Sequence, residues 1–291
     1  MYNQVHFVKS GTSCILLFRN SYMKIRPVKI AAVSFINTVP LIAGLEKYQS
    51  LELFKAVPAS LLTILKNRKA DLALIPSIDY QLAKFDLRII RAGAIGSLTH
   101  SLTVRIFSKK PIEQIKTLSC DTDSHTSVIL SRIVLKDLYN VTPEIFRYTW
   151  SGGQINVDTD AVLLIGDKVV SAFPGQSASV LPYQLDLVEA WHKLSGLGFV
   201  FAVWACRPGF KADEIKITLQ RALSVNLKNI DTLARRYAPL HHWPVDIART
   251  YLSKNMFYKL DRGQLDALKL FYSYAHKYGL ISRHKAIRFA D

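Results

Sequence analysis

The stretch Ser34-Phe35-Ile36-Asn37-Thr38-Val39-Pro40 decides how the chain is read, because it carries an apolar strand into a helix through small polar residues. The strand is predicted over residues 28–33 and the helix over 40–47, with Thr38 as its N-cap. Proline in the first helical turn costs no hydrogen bond, since the N–H it lacks would have had no partner there. The loop therefore offers Asn37, the hydroxyls of Ser34 and Thr38, and backbone N–H groups at the positive end of a helix, where an anion is received. An ordinary capped turn has the same composition, so one such loop alone settles nothing.

The pattern recurs. Residues 71–75 form a short apolar strand that Pro76-Ser77-Ile78-Asp79-Tyr80 turns into a helix. Residues 115–120 form another, followed by Asp121-Thr122-Asp123-Ser124-His125-Thr126-Ser127 and an amphipathic helix to residue 139. A further strand at 161–165 runs into Gly166-Asp167 and a helix start. Each loop puts small donors at the carboxyl end of a strand, where open α/β sheets bind ligands. The expectation is one polar cleft shared by Asn37, Ser77, Thr122, Ser124, Thr126, Ser127 and Gly166.

Strands also fit residues 51–56, 87–92, 104–107 and 198–205, and a helix fits 58–68. The alternation predicts an α/β protein with mostly parallel sheets covered by helices on both faces. Residues 212–290 read as helical, broken near Pro239 and Gly279. The order implies two lobes, one from 24–103 plus 204–291 and one inserted at 104–203, with crossings near 102–106 and 200–204. Ser151-Gly152-Gly153-Gln154 marks a turn in the inserted lobe. Residues 1–23 read as a disordered extension with Met23 as a plausible start, so deleting residues 1–22 is expected to leave the melting temperature nearly unchanged.

The chain has 291 residues, 49% hydrophobic and 21% charged, a globular composition of two-lobe size. Its apolar runs fall short of the roughly 20 residues that span a bilayer, and the run at 14–18 is too short for a secretory core. The net charge of +16 is scattered and comes without a helix-turn-helix, zinc-finger or aromatic-basic signature. It reads as solvated surface that also draws in a small anion, and neither nucleic acid nor membrane is an expected partner. Cys14, Cys120 and Cys206 have no metal-ligand or redox spacing, which suits a reducing cytoplasm. No metal site, nucleotide loop or other cofactor motif is found.

Taken in order, S-F-I-N-T-V-P at 34–40, D-L-A-L-I-P-S-I-D-Y at 71–80, F-S-K-K-P-I at 107–112, D-T-D-S-H-T-S at 121–127, L-L-I-G-D at 163–167 and F-V-F-A-V-W at 199–204 resemble the chorismate dehydratases of the futalosine route to menaquinone. The resemblance implies a two-lobed periplasmic-binding-protein-like fold of type II used as a cytoplasmic lyase. It implies chorismate as substrate and 3-[(1-carboxyvinyl)oxy]benzoate plus water as products. It also assigns Asn37 to the active site. Where the family carries its active-site hydroxyl this chain reads Gly96-Ser97-Leu98-Thr99-His100-Ser101-Leu102-Thr103, leaving Ser97, Ser101 and Thr103 as candidates.

Chorismate is a dicarboxylate, and the motifs offer no Arg pair, so helix amino termini and hydroxyls are expected to hold it. Asp121 and Asp167 fix loop geometry more often than they catalyse, and His100 and His125 are the loop acid–base candidates. Failing those, the substrate's own side-chain carboxylate takes the proton. Phe199, Phe201 and Trp204 either wall the cleft or belong to the core. The same fold also serves solute-binding proteins that capture small carboxylates without turnover. The 1,4-dihydroxy-6-naphthoate synthases are a third reading, but their amino-terminal motif resembles S-P-C-P-N-D-T-F more than S-F-I-N-T-V-P.

Overall fold

In the computed structural model, which describes residues 26–150, 152, 155–172 and 180–290, the apolar runs become strands packed on both faces. The strands are β1 Val28–Val33, β2 Leu51–Ala56, β3 Leu72–Pro76, β4 Arg88–Ser97, β5 Val104–Ser108, β6 Thr117–Asp121, β7 Glu144–Tyr148, β8 Ala161–Ile165, β9 Tyr183–Asp186, β10 Phe199–Cys206 and β11 Met256–Phe257. Alternate residues of one strand enter different cores. Ala31 and Val33 of β1 face one cluster while Ile30 and Ala32 face another, and Ala73 and Ile75 of β3 divide likewise from Leu72 and Leu74. Strands buried on both sides lose polar alternation and read as unbroken apolar runs.

Two sheets result, ordered β11-β4-β10-β3-β1-β2 and β7-β6-β8-β5-β9. Pairing is parallel across β2-β1-β3 and β7-β6-β8. It is antiparallel wherever β10, β4, β11, β5 or β9 takes part. The sheets are therefore mixed rather than mostly parallel. β10 lies whole in the first sheet, so a boundary between 203 and 204 falls inside a strand. Sheet membership changes between Ser97 and Val104, and again between Asp186 and Phe199.

The helices used below are α1 Val39–Ile42, α2 Leu61–Lys66, α3 Asp79–Leu82, α4 His125–Tyr139, α5 Asp167–Ala172, α6 Leu187–Ser195, α7 Asp213–Lys228, α8 Ile230–Tyr237, α9 Val245–Thr250 and α10 Arg262–Lys277. The helix expected over 40–47 is a single turn, α1, because Gly44 adopts φ +87° and a 3-10 turn follows at Leu45–Lys47. Thr38 does not cap it with its side chain. A 3-10 turn at Ile36–Thr38 already holds Thr38 at φ −82°, ψ −22°, outside the extended conformation a capping hydroxyl needs. The residues expected as strand at 87–92 are part of a longer β4, and β11 interrupts the helical carboxyl-terminal region.

Trp191, Phe199 and Phe271 pack edge to face at the centre of the largest core. Cys120 and Cys206 are buried free thiols, and burial pushes each up to about 12, so both act as small apolar groups. The extension at 1–23, with Cys14 and Met23, lies outside the described residues, as do Ser151, Gly153 and Gln154 of the expected turn. Among the described residues no helix is long and apolar enough to cross a membrane.

Candidate active site

Between the sheets lies a cleft enclosing about 550 Å³, part of it open to solvent. Its polar wall is built from three strand-to-helix loops, with Asn37 after β1, Ser124 to Ser127 after β6 and Gly166 after β8, and from Thr103 in the strand-to-strand connection before β5. Phe35, Ile95, Ile165 and Phe201 supply much of the apolar wall. Phe201 is thus the aromatic of its strand that faces the cleft, while Phe199 and Trp204 are core.

Asn37 and Thr103 are joined through a residue that no motif signalled. Asn37 Nδ2 donates to Tyr251 Oη at 3.2 Å, and Tyr251 Oη lies 2.8 Å from Thr103 Oγ1. Tyr251 is buried, packs on Trp243 and opens a π-helical turn at Tyr251–Asn255. Burial pushes its phenol well above its ordinary range, so it stays neutral with one proton to give. Because the Asn37 amide donates into that oxygen, the phenol proton goes to Thr103. The Thr103 hydroxyl hydrogen is then left with only a 3.5 Å contact to the Ser101 carbonyl, and the second N–H of Asn37 is left for a ligand.

Facing this pair is the amino end of α4, a 15-residue helix capped by Ser124, whose Oγ accepts from Ser127 N at 3.2 Å. Thr126 spends its hydroxyl across the cleft, accepting from Ile78 N at 3.3 Å and approaching the Phe201 carbonyl at 3.4 Å. Beside it His125 Nδ1 sits 2.8 Å from Oδ1 of Asp79, a buried carboxylate on α3. Asp167 closes the other end. Its carboxylate accepts from Ile36 N at 3.3 Å and pairs with His241 at 2.7 Å, so it fixes the loop rather than facing the cleft. Asp121 is likewise structural, held by Lys168 at 2.8 Å.

The remaining sequence candidates do not line the cleft. Ser77 is buried, with Oγ on the Val200 carbonyl at 2.7 Å and its own carbonyl taken by Tyr272. Ser97 turns its hydroxyl onto the His100 carbonyl at 2.7 Å, and Ser101 gives its hydroxyl to Asp186. Of the three hydroxyls left open by the sequence, Thr103 faces the cleft. Thr38 is buried against Asn37 Oδ1, Thr122 meets Thr149 at 3.1 Å, and Ser34 is exposed off the cleft wall. His100 is also exposed and lies against Asn255.

Gly166 owes its identity to closure. It has φ +62°, and a Cβ there would stand 2.7–2.9 Å from the ring of Phe35. Gly166→Ala should cost about 1–2 kcal/mol in backbone strain and push Phe35 away. The expected result is weaker ligand binding, read by titration, with circular dichroism unchanged; unaltered affinity would show that Phe35 does not need to close on the glycine.

Solved structures place this architecture among periplasmic-binding-protein-like folds. A protein of Archaeoglobus fulgidus superposes with TM-score 0.68 at 17% identity, covering 88% of this chain and 98% of its own. The periplasmic aliphatic sulphonate binding protein of Escherichia coli superposes with TM-score 0.57 at 12% identity, covering 89% and 94%. The family model for menaquinone biosynthesis matches residues 28–277, and the chain belongs to that family. It is similar to the chorismate dehydratase of Thermus thermophilus, 28% identical over 196 residues, or 62% of this chain and 70% of the relative. The chorismate dehydratase of Campylobacter jejuni is 24% identical over 246 residues, 82% of this chain and 93% of the relative.

Proposed function

We propose that the protein is a chorismate dehydratase, a hydro-lyase that converts chorismate to 3-[(1-carboxyvinyl)oxy]benzoate and water. Besides family membership, one observation carries the reading: the Asn37–Tyr251–Thr103 chain stands opposite the amino end of α4 across one cleft. The reaction asks mainly for orientation and charge stabilisation, because aromatisation drives it. The C–H bond at the ring carbon bearing the ether breaks, and its electron pair forms the new ring double bond as the neighbouring C–O bond breaks. The departing hydroxide leaves as water with that proton, and no electrons are gained or lost.

Negative charge builds on the ring carboxylate while the proton leaves. Donors aimed at that carboxylate lower the barrier by binding it more strongly as charge accumulates. In this proposal the α4 amino end and the Ser124 to Ser127 segment hold a carboxylate, and Asn37 with Thr103 grips the leaving hydroxyl. The substrate's side-chain carboxylate takes the proton and passes it to that hydroxyl. Two lobes, divided where sheet membership changes, close around the substrate through Phe35, Gly166 and Asp167. The reading puts the enzyme in the cytoplasm, a compartment that suits two buried, reduced thiols.

Incubation of purified protein with chorismate, with no cofactor added, should produce aromatic ring protons by NMR and one water per turnover. Chorismate that binds but emerges unchanged would sink the enzyme reading in favour of a carboxylate-binding protein.

A further inference from the structure

The cleft has to hold a dianion, yet among the described residues its lining contains no Arg or Lys and one ionisable side chain, His125. The ring is fixed from behind by Asp79, which is fully buried and whose second oxygen, Oδ2, has no hydrogen-bond partner. A carboxylate of that kind is costly to bury alone. It therefore favours a proton on the Nδ1 that faces it, which leaves Nε2 as the ring's second hydrogen-bonding position.

We propose that His125, held by Asp79, is the cation that binds one carboxylate of the substrate through Nε2. The inference rests on the chorismate reading and names the charge partner which that reading lacks. When the imidazolium loses a proton it keeps the one shared with Asp79, so Nε2 is the atom that changes from donor to acceptor. A donor to a carboxylate then becomes a lone pair pointing at it.

The ionisable groups that act on the ring are Asp79 from α3, which raises His125, and Arg147 from β7, which opposes it along with partial burial. The hydrogen bond to Asp79 is the largest influence, so His125 is lifted above its ordinary 6.5. Burial is the largest influence on Asp79 and leaves it raised above its ordinary range, with the contact to His125 opposing that rise only in part. The sign follows from a raised histidine: substrate affinity from this contact is present in full below the ordinary histidine range. It is lost as pH rises through the value of the folded protein. A general base would do the reverse, failing at low pH where the imidazole is protonated.

The test is the dissociation constant of the product 3-[(1-carboxyvinyl)oxy]benzoate, which keeps both carboxylates of chorismate and is not turned over, by calorimetric titration between about pH 5.5 and 9, where both stay ionised. It is run at constant ionic strength on the wild type, His125→Gln and Asp79→Asn, with kcat for chorismate measured alongside. The wild type should weaken on the order of 10- to 100-fold across a single ionisation. His125→Gln should bind at the weak limit with no pH dependence, and Asp79→Asn should move the ionisation to lower pH. If the wild type binds with a flat profile, or the Gln variant keeps the slope, this inference is wrong while the chorismate reading stands. A profile that instead appears in kcat, falling toward low pH, overturns it in favour of a base. No binding at any pH overturns this inference, and the chorismate reading with it where turnover is absent too.

Discussion

Asn37→Ala should fold normally and turn chorismate over on the order of 10² to 10³ times more slowly. The fold survives because Asn37 is half-buried and makes a single strong side-chain contact, to Tyr251; without it that phenol keeps Thr103 at 2.8 Å. What disappears is the amide that sets the direction of the chain and offers a second N–H to the substrate. If that hydrogen bond strengthens as the hydroxyl departs, its loss falls on kcat more than on KM. Asn37→Asp should be as poor or poorer. It replaces the donor by a negative charge facing a dianion and leaves the phenol proton drawn toward the new carboxylate instead of Thr103. Steady-state kinetics with circular dichroism as the folding control decides the matter. An Asn37→Ala protein that folds and keeps wild-type turnover would make Asn37 a loop-fixing residue and remove the centre of the proposed mechanism.

The parts of the molecule that are legible in the sequence are those whose cause is local. β1, β3 and β8 have cores on both faces, so each is an apolar run with polar loops at its ends. α4 announces itself through Ser124 as cap and a buried stripe behind it. By contrast β7 and β9 are edge strands with mostly exposed or half-exposed residues, and they carry no apolar run to find. The site divides in the same way. Asn37, Ser124 and Gly166 sit in loops of recognisable composition, but composition cannot show which way a hydroxyl points. Ser77 and Ser101 have the same chemistry as Thr103, yet turn to Val200 and Asp186, partners 123 and 85 residues away. Tyr251 lies 214 residues from Asn37, and Asp79 46 from His125. Such pairs exist only once two sheets face each other.

Asp186→Ala should be the most destabilising of the substitutions considered, at about 3–5 kcal/mol. Its carboxylate is buried at the end of β9 and caps α6, accepting from Val188 N at 2.9 Å and Glu189 N at 3.3 Å. The same two oxygens reach across to the segment entering β5, where they accept from Ser101 N, Ser101 Oγ and Leu102 N, the last at 2.9 Å. Leu102 is held there at φ +64°, a conformation that a leucine does not adopt without such a clamp. Removing the carboxylate leaves several buried N–H groups without an acceptor and Arg105, 3.7 Å away, without its counter-charge. Asp186→Asn separates cap from clamp. Asparagine is a good N-cap but has one acceptor oxygen, and its NH2 would face backbone N–H groups, so it should recover less than half of the loss. The urea midpoint should fall in both variants with an unchanged slope. Turnover should fall beyond what stability explains, because Thr103 follows the clamped residues directly. If Asp186→Asn matches the wild type in both midpoint and turnover, capping α6 is all that Asp186 does. The position of Thr103 would then owe nothing to the Asp186 clamp and rest on Tyr251 and the backbone bond from Gly166 N.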